Sequence, residues 1–200
     1  VGKGRPPWLS RRSDVAPVAG SAPHRAVVLY FVLLAGVGLA MFRDYGVAWD
    51  EPKQRMIGGV SVRHILQTVA PTRALPAALP DIELASLDDR DYGVVFEAPA
   101  VAVELLLGLT NTRTIYMARH LLTYLVFLGG VFAVYRLAVR RFDDWRLGRF
   151  AATLLVLSPR VFGEAFYNSK DVVFMALFAI ATNTMFGFVM RPAARTALLH

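Results

Sequence analysis

Apolar residues along this chain come in blocks, separated by stretches in which charged residues, Pro and Gly collect. The first block, "AVVLYFVLLAGVGLAMF" from Ala26 to Phe42, holds 17 uncharged residues. At 1.5 Å per residue it reaches about 25 Å as a helix, just enough to span a bilayer core. The second, "TIYMARHLLTYLVFLGGVFAVYRL" from Thr114 to Leu137, is long enough to cross with length to spare. A third block, residues 150–166, is broken by Ser158-Pro159-Arg160, and a fourth runs from Asp171 to Met190. The pattern predicts an all-α membrane protein with about four transmembrane helices.

Between the first two blocks lies a mixed segment, residues 43–113, with ten acidic and seven basic residues. It is too long for a tight turn. Met56 to Val69 reads as a helix interrupted by Gly58-Gly59, with apolar residues on two faces. "APAVAVELLLGL" carries Pro99 near its start, suited to a helix N-terminus, and contains Glu104; it is too short to cross, so it lies in the interface or re-enters. The segment is therefore expected to be a long loop carrying interfacial helices.

Charge then orients the spans. Residues 1–25 form a Pro-rich basic arm with little apolar periodicity, read as disordered and cytoplasmic. Arg136, Arg140, Arg141, Arg146 and Arg149 surround Asp143-Asp144 and mark a second cytoplasmic turn, and Arg191 and Arg195 a third. The parity closes: out through span one, in through span two, out through three and in through four. A signal peptide is the competing reading of the first block. The hydrophobic fraction of 56% agrees with a membrane protein without requiring one, and the net charge of +7 reports topology rather than a nucleic-acid partner. Cysteine is absent, which excludes a disulfide frame, a thiolate metal site and a cysteine nucleophile.

This topology collects the ionisable residues that are hardest to place in the spans near one leaflet. Arg119 and His120 sit within the outer end of span two, Arg160 and Glu164 in the outer half of broken span three, and Lys170 with Asp171 at the head of span four. Asp50 and Glu51 follow span one. Charges at such depth are costly and tend to face one another or a wet cavity, although each alone can snorkel. The grouping predicts a polar cavity in which a carboxylate serves as general base while Arg and Lys hold a phosphate. Asp50 equally suits an ordinary N-cap before Pro52, and His120 a packed, hydrogen-bonded residue. Glu97 with Pro99 suits a helix start, and Tyr45, Trp49, Tyr92 and Tyr167 suit an aromatic belt or a sugar-stacking wall.

"RDYGVAWDEP", followed by the loop and by "LSPRVFGEAFYNSKDVVFMALFAIAT", resembles the N-terminal part of the large integral-membrane glycosyltransferases of the GT-C fold. The nearest group is the protein O-mannosyltransferases and lipid A aminoarabinose transferases. The resemblance spans Ala26 to about Met190 and implies a partial GT-C domain, residues 26–190, with residues 191–200 as a cytoplasmic end. Relatives carry many more spans, so the chain is expected to be an N-terminal fragment or to be completed by another chain. By that resemblance Asp50 deprotonates the acceptor hydroxyl, which attacks the anomeric carbon with inversion; Glu51 is its companion and Asp171 the second acidic position. The implied donor is a polyprenyl-phosphate sugar, with Arg160, Lys170 and Arg119 as phosphate contacts and His120, Glu164 and Glu97 as further candidates. The implied acceptor is a protein, lipid or glycan. The resemblance fixes no cofactor, since family members differ in whether a divalent cation is needed; Asp50, Glu51 and Asp171 could bind one through oxygen. The implied location is a bacterial inner membrane with the active side external. A small transporter, an accessory subunit holding an anionic lipid or solute, and a bare anchor are the readings that need no chemistry.

Overall fold

A computed structural model describes residues 24–190. Apart from His24 and Arg25, the basic arm lies outside these residues, as does the end at 191–200. All regular structure among the described residues is helical: α1 (His24–Met41), α2 (Glu51–Val69), α3 (Glu97–Leu106), α4 (Thr112–Phe142), α5 (Trp145–Val156), α6 (Pro159–Glu164) and α7 (Asp171–Met190), with a single 3-10 turn at Leu84–Ser86.

The helix boundaries follow from local chemistry. Asn111 Oδ1 accepts the backbone N–H of Arg113 at 2.9 Å and of Thr114 at 3.3 Å, starting α4. The helix stops at Asp143, whose φ of 56° is left-handed, a conformation that Asp tolerates better than most residues. Asp144 then caps α5 by accepting from Arg146 N at 2.7 Å. Ser158-Pro159 separates α5 from α6, because proline can open a helix but cannot continue one. Asn168 Oδ1 accepts from Asp171 N at 2.8 Å and starts α7.

Four elements form a bundle whose directions are fixed by side-chain pairs. Tyr124 of α4 donates to Leu34 O of α1 at 2.7 Å, while Phe31 meets Phe132 and Tyr135 edge-on, so α1 and α4 are antiparallel. α5 returns along α4: Gly148 sits against Tyr135 and Val139, and beyond α6 Phe166 stacks on Tyr124 with centroids 4.7 Å apart. α7 runs parallel to α4, with Gly130 against Ala176 and Arg140 Nη1 donating to Asn183 Oδ1 at 2.9 Å. The core of the bundle is Tyr124, Phe127, Val131, Tyr135, Ala152, Ala165, Phe166 and Val172.

Two helices are long and apolar enough to cross a membrane, α4 and α7. They measure about 47 and 30 Å at 1.5 Å per residue. α1 is apolar but shorter, and the third expected span is the broken pair α5–α6. Outward faces of α1 and α7 are apolar and exposed, as Leu33, Leu39, Phe174, Phe178 and Val189 show.

α2, α3 and the loops around them pack at the end of the bundle where α1 finishes and α4 and α7 begin. We term it the loop end, and the opposite end, with Arg136 to Arg149, the arginine end. The expected interruption of α2 at Gly58-Gly59 does not occur; the helix runs through. Both glycines are buried where neighbours come close. A Cβ on Gly58 would lie 2.8 Å from Glu97 O, and one on Gly59 2.8 Å from Pro80 Cδ.

Candidate functional site at the loop end

The loop end joins three elements through buried charge. Arg119 of α4, 2% exposed, bridges two acids of α3: its Nη1 donates to Glu104 Oε1 at 2.8 Å and its Nη2 donates to Glu97 Oε2. Glu104 Oε2 accepts from Arg55 Nε of α2 at 2.8 Å. Glu97 Oε1 accepts from Ser169 Oγ, in the loop before α7, at 2.5 Å. Burial pushes the Glu104 carboxyl above the usual carboxylate range, and Arg55 pulls it back. The quartet of two acids and two arginines is formally neutral, which offsets the cost of burying Arg119, Glu97 and Glu104.

A second pair adjoins it. His120, 1% exposed, places Nε2 3.0 Å from Glu51 Oε1, and Glu51 Oε2 accepts the backbone N–H of Ala48 at 2.7 Å. His120 Nδ1 is buried with no hydrogen-bond partner among the described residues. The reading of His120 as a packed, hydrogen-bonded residue describes this environment.

Asp50 differs from Glu51 in every respect that matters for chemistry. It occupies the N-cap position of α2 but its side chain makes no capping bond; Glu51 takes the nearby N–H instead. Among the described residues the Asp50 carboxylate has neither a hydrogen-bond nor an ion-pair partner, and it is half-buried. Trp49 beside it is 99% exposed. Glu97 likewise does not cap α3; Phe96 holds that position.

The remaining candidates form a surface chain along the segment from α6 to α7. Arg160 Nε donates to Glu164 Oε1 at 3.0 Å, and Asn168 Nδ2 donates to Glu164 Oε2 at 3.0 Å and to Asp171 Oδ2 at 3.2 Å. Lys170 Nζ stands 4.5 Å from the centroid of the Tyr92 ring. Tyr45 stacks on Phe166 with centroids 4.4 Å apart and lies beside Tyr167; burial raises its hydroxyl pKa. Tyr45 is thus a packing residue, while Trp49 and Tyr92 are exposed.

All eight ionisable residues expected near one leaflet belong to the loop end, but they do not line one hollow. Glu51, Arg119 and His120 are paired and enclosed, whereas Arg160, Lys170 and Asp171 lie at the surface. Among the described residues no three His, Asp or Glu side chains come together as a group that could hold a metal ion. A cavity of about 320 Å³ does open at this end, and its wall carries none of the eight: Arg55 and Glu104 supply its charge. Sequence reasoning passed over Arg55 and Ser169. One signal was available, since Glu104 sits inside an otherwise apolar run and an acid there demands a cation from elsewhere. Comparison of the chain with protein-family models, curated proteins and solved structures finds no match.

Proposed function

We propose that this chain is part of a membrane glycosyltransferase, in which α1, α4, α5–α6 and α7 cross in alternating directions and the loop end faces outward. A sugar moves there from a polyprenyl-phosphate carrier to an acceptor hydroxyl. Asp50 takes the hydroxyl proton as the oxygen forms its bond to the anomeric carbon; the bond from that carbon to the carrier phosphate breaks, and the phosphate leaves with the electron pair. Lys170 and Arg160, both exposed, stand as cations for the leaving phosphate. Arg119, enclosed between Glu97 and Glu104, is assigned to the scaffold instead.

The observation that carries this reading is the division of labour between two adjacent carboxylates. Glu51 is buried and hydrogen-bonded on both oxygens; Asp50 is uncommitted beside an exposed tryptophan. A general base must be free to approach its substrate, and only the first of the pair is. Asp50→Asn in proteoliposomes supplied with radiolabelled polyprenyl-phosphate sugar should lower transfer by about 10²-fold or more while carrier binding persists. Undiminished transfer in that variant would remove the proposal.

A second reading is supported by an apolar groove of about 680 Å³ between α1 and α4, lined by Val28, Phe31, Val32, Leu128 and Phe132 and ending at Arg136. A subunit that only holds an anionic lipid would use this groove, and Asp50→Asn would leave its lipid binding unchanged.

A further inference from the structure

We infer that the loop-end cavity between α2, α3 and the segment at residues 78–82 is a binding site for an oxyanion bearing an apolar group, of the phosphate monoester type, held by the terminal nitrogens of Arg55. The site is separate from Asp50 and would stand if Asp50 catalyses nothing.

Its walls are two helix faces. Pro52, Arg55, Met56 and Gly59 recur at helical spacing and present one stripe of α2. Val101, Glu104 and Leu105 do the same on α3. The third wall, which includes Leu79 and Pro80, is held in place from outside the cavity: Arg63 Nη1 donates to Pro80 O at 3.1 Å, and Arg63 Nη2 pairs with Asp81 Oδ1 at 2.5 Å. Gly59 lets Pro80 approach α2 more closely than a side chain there would permit. At about 320 Å³ the space falls at the lower end of the range of small-molecule sites, roughly 300–1,000 Å³.

Arg55 is oriented but not saturated. Its Nε is bound to Glu104, while its two Nη groups make no hydrogen bond with the described residues. Nor is the orientation loose, because Glu104 is held in turn by Arg119, and Arg119 by Glu97. Both carboxylate oxygens facing this side of the network are occupied, Oε1 by Arg119 and Oε2 by Arg55. Glu104 is thus neutralised by the two guanidinium groups it accepts from, and the terminal nitrogens of Arg55 remain as the free donors of the charged pair at the cavity wall. A planar fork with both terminal nitrogens open is the geometry that takes two oxygens of a phosphate or carboxylate. The apolar remainder of the wall selects a ligand with a hydrocarbon portion over a free ion, which would leave that wall against water.

The test is calorimetric titration of the purified protein, in nanodiscs of zwitterionic lipid, with octyl phosphate, octanol and inorganic phosphate. Octyl phosphate is expected to bind, with octanol and inorganic phosphate each weaker by about tenfold or more, as the loss of a charge-assisted bond or of the apolar contact requires. Arg55→Gln should erase the preference of octyl phosphate over octanol. Ala78→Trp, which fills the cavity from the loop and leaves the Arg55–Glu104 pair untouched, should abolish binding. Equal binding of octyl phosphate to the parent and to Ala78→Trp, or inorganic phosphate binding as tightly as octyl phosphate, would overturn the inference. These readouts need no turnover, so they fail or succeed independently of the transfer reaction.

Discussion

At the scale of single residues, the account rests on which charges are already spent. Arg119 holds two buried carboxylates, so Arg119→Met leaves Glu97 with Ser169 alone and Glu104 with Arg55 alone. Breaking a buried pair from one side costs about 3–5 kcal/mol. Chemical unfolding in detergent micelles should register a loss of that order, and the double variant Arg119→Met with Glu97→Gln should recover part of it. Asp50→Asn should leave unfolding unchanged, because its carboxylate holds nothing in place. The contrast reflects what a sequence can and cannot convey. That Arg119, His120 and Glu51 were unusual could be read from their depth in or beside apolar blocks. That they satisfy partners within the fold could not, since Arg119 reaches 15 and 22 residues back to Glu104 and Glu97, and His120 reaches 69 residues back to Glu51. Such pairings depend on how helices lie against one another.

At the scale of elements, small residues decide how closely helices approach. In α2 the glycine pair read from sequence as a weak point, because glycine lowers helix propensity. In the fold it is the contact surface. Gly58→Ala drives a methyl into Glu97 O at 2.8 Å, a backbone atom at the start of α3 that cannot swing aside, and overpacking of this kind costs about 1–3 kcal/mol. Gly36 of α1 has nothing within 4 Å of its added Cβ. Gly36→Ala should therefore be neutral or raise stability by up to about 1 kcal/mol through helix propensity alone. Measuring both thermal transitions side by side separates packing from propensity, and a Gly58→Ala protein as stable as Gly36→Ala would contradict the close approach. The break at Ser158-Pro159 shows the opposite case: it was legible because proline's missing N–H acts locally, whatever packs around it.

For the whole molecule, the bundle sorts charge to its two ends. Helix directions alternate from α1 to α4 to α5–α6, and α7 returns parallel to α4, so the acid-bearing loops gather at one end and Arg136 to Arg149 at the other. Such alternation is what four crossings with the arginines on one side would require, and loop charge and apolar blocks, being one-dimensional signals, can be read without knowledge of packing. The packing of α2 and α3 could not be read in that way, because the apolar residues of α2 fall on two faces and the buried stripe of α3, Glu97, Ala100, Val101 and Glu104, carries two acids. The central claim is that this arrangement places the loop end and the arginine end on opposite sides of a membrane. As the chain has no cysteine, single substitutions report without background. The decisive measurement is thiol labelling of Asp91→Cys and Arg146→Cys in intact cells with a membrane-impermeant reagent. The account predicts that position 91 labels at once and position 146 only after permeabilisation; labelling of both from the same side would contradict it.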